Sequence, residues 1–190
     1  MSHAPDPVRD AFDACPRADF LPPGQRRRAD FDGPIEIGHG QTSSQPRTVE
    51  EMLRLLDVRP GHRVLDVGCG SAWTTALLAH LTGEAGSVVG VELEPDLVRF
   101  GGDNLARTGQ PWARVEQAVP GELGWPREAP YDRILVSAGA RELPQQLVDQ
   151  LDARGRMVVP VDGWMVLVEQ QPGGEVRTER HGSYRFVPLR

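Results

Sequence analysis

The stretch "HRVLDVGCGSAWTTALLAHLTG", His62 to Gly83, decides the fold. A short Val/Leu run ends at glycines and leads into a helical pattern stopped by Gly83, so it reads as strand, tight turn and helix. The grammar then repeats. "GSVVGVELEP" is a β-branched run with an acidic residue at its end, and "PDLVRFGGDNLARTG" is the helix after it. "YDRILVSAG" reads as the next strand and "LPQQLVDQLDARG" as the next helix. The remaining segments, "GRMVVPV", "GWMVLVEQQP" and "YRFVPL", read as strands, with no helix between the last two. Alternating β and α units imply an α/β fold in three layers, a doubly wound, mostly parallel sheet with an antiparallel C-terminal edge.

Upstream of this core, Val8 to Leu21 reads as a short helix stopped by Pro22-Pro23-Gly24, with the arginine run Arg26 to Arg28 as a solvated turn near its end. "FDGPIEIGHGQTSSQP" has glycines and prolines but no period and is expected to be a loop. "RTVEEMLRLLDV" sets Val49, Met52, Leu53, Leu56 and Val58 near one helical stripe, and Thr48 followed by Glu51 has the form of a capping box.

A chain of 190 residues with 39% hydrophobic content can bury one substantial core. The expectation is a single domain over 1–190, in which 1–47 supply an N-terminal helix and a covering loop. A net charge of −6 argues against a protein that tracks nucleic-acid phosphates. No window approaches the roughly eighteen apolar residues of a membrane span, and "MSHAPDPVRD" lacks a basic start followed by an apolar core, so a cytoplasmic location is expected. Cys15 and Cys69 read as free thiols. His3, His39, His62, His80 and His181 are scattered, without a second ligand one helical turn away, so they read as surface or capping residues and no metal is expected.

The turn "LDVGCGSAW" follows a strand and opens a helix, which aims backbone N–H groups at a ligand beyond the carboxyl end of the sheet. A dinucleotide site would want a third glycine where Trp73 stands, and the Gly-Lys-Ser/Thr of a triphosphate loop is absent. Asp66, at the end of a buried strand, is costly unless a ligand or N–H groups satisfy it, and it suits a cationic group. Glu92 ends the next strand, about 25 residues past the turn, where a carboxylate accepts two ribose hydroxyls. Acid, two glycines and acid in this order describe a site for S-adenosylmethionine.

The loop "GHGQTSSQP", Gly38 to Pro46, together with "FLPPG", "VLDVGCGS", "APYDRILVSAGA", "LPQQLVDQLDARGRMVVPV" and "YRFVPL", resembles the protein-L-isoaspartate (D-aspartate) O-methyltransferases in one order from about Asp19 to the end. The resemblance implies a class I, Rossmann-like methyltransferase fold with a seven-stranded sheet. It also implies methyl transfer from S-adenosylmethionine to the free carboxylate of an isoaspartyl residue in damaged protein; a monomer is expected. It implies Ser44 as the active-site serine, with Gln41 and Thr42 on the cofactor side of the loop. Gly68, Cys69, Gly70 and Ser71 would cradle the methionine portion, joined by Asp66. Glu92 and Leu93 would face the ribose and Gly121 the adenine. Gln45, Ala138 and Val187 would line the substrate channel with Ser44. A carboxylate is already ionised at neutral pH, so such a site needs alignment and hydrogen-bond donors rather than a base. Two other readings stay open: a dedicated peptide substrate, and a binding module without turnover.

Three positions depart from the family pattern. Ala72 replaces a glycine after the serine of the glycine turn and is expected only to tighten the helix start. Val119-Pro120-Gly121 stands where the family has glycine-aspartate-glycine, so the acid expected near the adenine is missing. Pro120 offers neither an acceptor side chain nor an N–H, which leaves Gln117 or Glu122 to replace it and predicts weaker cofactor binding, by about one to two decades. Glu36 stands in place of an apolar residue and could repel an anionic peptide at the channel mouth.

Overall fold

The computed structural model describes residues 5–190; His3 lies outside them. Its centre is a seven-stranded sheet in the order β5-β4-β3-β6-β7-β8-β9. The strands are β3 (Arg63–Val67), β4 (Ser87–Glu92), β5 (Ala113–Gln117), β6 (Tyr131–Val136), β7 (Leu151–Val161), β8 (Trp164–Gln170) and β9 (Val176–Ser183). All pairs from β5 to β7 are parallel, and β7-β8 and β8-β9 are antiparallel. The chain leaves β3 toward β4 and β5 on one side and returns to β6 on the other, so a topological switch point opens at the carboxyl end of β3.

The period of two sorts the core into layers. Val64, Val88, Leu135 and Val158 face α1 (Pro7–Ala14), α2 (Pro46–Leu56) and α3 (Trp73–Thr82). Leu65, Val67, Val89, Ile134 and Met157 face the other way, onto Trp125, Tyr131 and the short α5 (Gln145–Val148). Near-continuous apolar strands, buried on both faces, are what a covered parallel sheet requires. Asp66 alternates with Leu65 and so shares the face of Val64, beneath α3. The helix α4 (Pro95–Ala106) packs beside α3, where a Cβ on Gly101 would stand 2.8 Å from the Gly70 carbonyl oxygen, so only glycine admits this approach.

Several local expectations are corrected. The helix expected over 8–21 stops at Ala14; Pro16 disfavours a helical Cys15, and Arg17–Phe20 form a separate 3-10 turn. Pro22-Pro23-Gly24 is not only a stop, because Pro23–Arg28 form a second 3-10 helix carrying the exposed arginines. The segment read as a loop is a β-hairpin, β1 (Ile35–Gly38) and β2 (Gln41–Ser43), with positive φ at Gly38, His39 and Gly40 at its tip. Strands of four and three residues, joined by a tip with two glycines, are too short for a period to be read from the sequence. Thr48 is no cap: Gln45 precedes the helix, Pro46 opens it, and the Thr48 hydroxyl donates to Gln45 Oε1 at 3.4 Å.

The helix expected in "LPQQLVDQLDARG" is a single turn, since Leu151 already pairs with Tyr131 and begins the eleven-residue β7. "YRFVPL" is not a strand but a strap across the end of β6, where the Gly139 N–H donates to the Val187 carbonyl at 2.7 Å and the Leu189 N–H to the Gly139 carbonyl at 2.9 Å. The last strand is instead the charged, largely exposed β9. Ala72 adopts a left-handed conformation, φ 67°, in which an alanine is strained where a glycine would not be. Cys15 and Cys69 are free and buried. Among the described residues no helix is long and apolar enough to cross a membrane.

Candidate active site

A cavity of about 920 Å³ opens at the switch point, over the carboxyl ends of β3, β4, β5 and β6. A second space, about 30 Å³, lies beneath the β1-β2 hairpin. That volume holds one water or one group of similar size. Five residues line both: Gln41, Gly68, Glu92, Ser137 and Val187.

The glycine turn forms the floor between them. The Gly68 and Cys69 N–H groups donate to the Val91 carbonyl, at 2.9 and 3.1 Å, which ties the turn to β4. Gly68 and Gly70 take φ of 75° and 54°, conformations glycine reaches without strain. Glu92 holds the turn from the other side. Its Oε2 accepts from the Gly70 N–H at 2.9 Å, and its Oε1 accepts from the Leu93 and Glu94 N–H groups at 2.7 and 3.0 Å. With three of about four acceptor positions occupied, the carboxylate is fixed in place yet keeps capacity toward the cavity. From α4, the Asn104 amide donates to the Ser71 carbonyl at 3.0 Å and supports the same turn.

Asp66 lies behind this floor and lines neither space. It is fully buried; Oδ2 accepts from the Thr74 and Thr75 hydroxyls at 2.7 and 2.8 Å, and among the described residues Oδ1 has no partner. Burial pushes its carboxyl up to about 6, against the lowering effect of the two threonine donors. What it touches is the first turn of α3. Burial, with the neighbouring Asp66 and Glu92 acids, also pushes the Cys69 thiol well up, so this cysteine is no thiolate nucleophile at neutral pH.

Ser44 lies between β2 and α2 and lines the smaller space with Thr42, Cys69 and Ser71. The chain that carries it is held by Arg17, which the sequence did not mark as functional. Arg17 is only 6% exposed, and its guanidinium donates to six acceptors. These are Ser43 Oγ at 3.1 Å and the carbonyls of Ala29, Phe31, Gly33, Ser43 and Ser44 at 2.9–3.4 Å. Burial lowers its pKa to about 10, which leaves it charged at neutral pH. One side chain thus joins residues 29–33 to the end of the hairpin. No periodicity distinguishes a buried arginine from an exposed one.

Leu93, Gly121 and Ala138 line the larger cavity, and Val187 lines both spaces. Gln45 lines neither, being engaged with Thr48 at the start of α2. Pro120 and Glu122 line the larger cavity, whereas Gln117 does not: its amide donates to the Leu93 carbonyl at 2.7 Å and the Glu92 carbonyl at 3.2 Å. Glu36 is exposed on the hairpin face opposite the buried Ile35 and Ile37 and lines neither space. Over the top, His39 Nε2 lies 3.1 Å from Asp96 Oδ2 at the start of α4, and Arg190 Nη1 lies 3.4 Å from Glu94 Oε1. Hairpin tip and C-terminal strap therefore both reach the α4 end of the cavity.

A family model described as protein-L-isoaspartate(D-aspartate) O-methyltransferase matches residues 2–190. A protein-L-isoaspartate O-methyltransferase of Methanopyrus kandleri is 45% identical over 190 residues, which cover 96% of this chain and 82% of that one. A protein-L-isoaspartate O-methyltransferase 2 of Archaeoglobus fulgidus is 41% identical over 187 residues, 96% of this chain and 84% of that one. Among solved structures, a protein-L-isoaspartate O-methyltransferase from Plasmodium falciparum, in complex with S-adenosyl-L-homocysteine, superposes with a TM-score of 0.84 at 28% identity. The match covers 99% of this chain and 92% of that one.

Proposed function

This chain belongs to the protein-L-isoaspartate(D-aspartate) O-methyltransferase family, and from that premise we propose how its own residues carry out the reaction. It is an S-adenosylmethionine-dependent carboxyl O-methyltransferase that esterifies isoaspartyl residues of damaged proteins. Collapse of the ester through a succinimide then returns part of the protein to normal aspartate.

The observation that carries the assignment of roles is the junction of a large and a small space at Gly68 and Glu92. When bound, S-adenosylmethionine supplies an electrophilic methyl group on a sulfonium. Its fit to this chain rests on the two left-handed glycines, which let the backbone come close, and on the fixed Glu92 carboxylate with acceptor capacity left for ribose hydroxyls. In this reading Gly68 to Ser71 hold the methionine portion, Glu92 and Leu93 the ribose, and Gly121 the adenine. Asp66 acts from behind, by fixing the first turn of α3. Glu122 is the remaining candidate acceptor for the adenine amine in place of Pro120, because it lines the cavity whereas Gln117, its amide held by the Glu92 and Leu93 carbonyls, does not.

The substrate carboxylate arrives ionised and needs no base. Ser44 donates one hydrogen bond to it, Ala138 and Val187 flank it, and Gln41 and Thr42 cover the reacting atoms from the hairpin. Excluding water there strengthens the alignment of an anion against a cationic methyl donor. One domain over 1–190, with 1–47 as cover, acting as a monomer in the cytoplasm, completes the proposal. Glu36, exposed and lining neither space, sets no charge against an anionic peptide at the channel mouth.

The test is Ser44→Ala. Labelled methyl transfer to an isoaspartyl peptide should fall at least tenfold while S-adenosylhomocysteine still binds. Full transfer by the variant would remove Ser44 from the site.

A further inference from the structure

The two spaces meet over five residues, and a methyl group passing between them must cross there. Of the five, Gly68 has its N–H committed to the Val91 carbonyl, Glu92 and Val187 have no side-chain donor, and Gln41 donates its amide to the His39 carbonyl at 3.4 Å. Two side-chain donors are left, the second N–H of the Gln41 amide on the hairpin side and, on the sheet side, the hydroxyl of Ser137. Its position is fixed by the backbone: the Ser137 N–H donates to the Val67 carbonyl at 2.9 Å, and among the described residues its hydroxyl has no hydrogen-bond partner. A Cβ on Gly68 would lie 4.0 Å from the Ser137 carbonyl carbon, so the end of β6 rests directly on the glycine turn.

The small space, about 30 Å³, is bounded by Ser44 on the hairpin side and Ser137 on the sheet side. That is room for a single small polar group, here the carboxylate, and little more. Glu92 also lines it, and a second anion placed beside Glu92 is repelled unless donors face it. The Glu92 charge is partly met by its three backbone N–H bonds, which leaves the incoming carboxylate to find its own donors.

We infer that Ser137 is a second substrate-binding residue, whose hydroxyl, like that of Ser44 from the opposite wall, donates to the oxygen of the isoaspartyl carboxylate that does not attack. The inference rests on the isoaspartyl reading of the site and names a contact within it. A donor on the attacking oxygen would stabilise the reactant anion more than the transition state, in which that charge is being lost, and would slow transfer. A donor on the other oxygen fixes the orientation of the carboxylate and leaves the reacting lone pair free. Ser137 therefore acts mainly on binding, and its loss shows in KM rather than kcat.

The experiment compares wild type, Ser137→Ala and Ser137→Thr with an isoaspartyl hexapeptide, measuring kcat and KM for methyl transfer and S-adenosylhomocysteine affinity by calorimetry. Ser137→Ala should raise KM for the peptide roughly tenfold, with kcat and S-adenosylhomocysteine affinity each within about twofold. Ser137→Thr, which keeps the hydroxyl, should recover most of the lost affinity. An unchanged KM in Ser137→Ala, a loss confined to kcat, or a threonine variant no better than alanine overturns the inference while leaving the isoaspartyl reading intact. Wild-type protein that binds S-adenosylhomocysteine and does not methylate the peptide overturns that reading and the inference with it.

Discussion

The Arg17 guanidinium donates to the Ser44 carbonyl at 2.9 Å, so a buried cation from the first 3-10 turn holds the backbone that carries the Ser44 hydroxyl. Among the described residues no carboxylate is hydrogen-bonded to it; carbonyl dipoles and Ser43 Oγ satisfy its five N–H groups. A charge removed from water without a paired anion is tolerated only when its hydrogen bonds are complete.

Arg17→Met should therefore cost about 3 kcal/mol or more in unfolding free energy, because several buried carbonyls lose their donor together. At a temperature where the variant stays folded, methyl transfer should drop much further than S-adenosylhomocysteine affinity, since Arg17 lines neither space and is bonded to Ser43 and Ser44. Arg17→Lys, with three donors for six acceptors, should fall between. Urea titration and paired kinetic and binding measurements check both; equal losses in transfer and in cofactor affinity would show that Arg17 does not act through the hairpin.

Asp66 gives a pH signature. Its folded value of about 6 lies above the ordinary 3.8, so between these values the native protein holds a proton that the unfolded chain has released. Stability from this group is fully present below about 3.8 and is lost as pH rises through about 6, a loss of about 3 kcal/mol. Asp6 and Glu128, held below their ordinary range by hydrogen bonds from Arg54 and Arg114, push the opposite way, but equally in wild type and variant. The difference in unfolding free energy between wild type and Asp66→Asn should thus favour wild type at pH 4 and decline toward pH 7. Parallel curves from urea titrations at four pH values would refute the assignment.

The substitution at Pro120 predicts a measurable shift in cofactor binding. If Glu122 supplies the missing acceptor, Glu122→Ala should weaken S-adenosylhomocysteine about tenfold, and Gln117→Ala should leave it within about threefold. Titration calorimetry separates the two; the reverse order would return the contact to Gln117.

The alternation of apolar strands with helices, and of glycine with acid at their ends, made the sheet and the floor of the cavity legible. Gly68, Gly70 and Glu92 lie where a strand-turn-helix rule puts them. Other features escaped because they depend on tertiary partners. Cys15-Pro16 divides a helix that amphipathic spacing had run on to Leu21. The Ile35–Ser43 hairpin is too short to show a period of two, and β9 carries charge on an exposed edge where no apolar pattern is needed. Asp66 was rightly marked as a carboxylate in need of satisfaction, but Thr74 and Thr75, a turn away on α3, provide it. Gln117 and Glu122 looked equivalent until the fold turned one toward carbonyls and the other toward the cavity. Arg17 and Ser137 carry no local signal at all.

The most direct test of the central claim is base-labile methyl ester formation on an isoaspartyl peptide beside its aspartyl twin, with pure protein and labelled S-adenosylmethionine. The account predicts label on the isoaspartyl peptide alone. Label on both peptides, or on neither while S-adenosylhomocysteine binds, would contradict it.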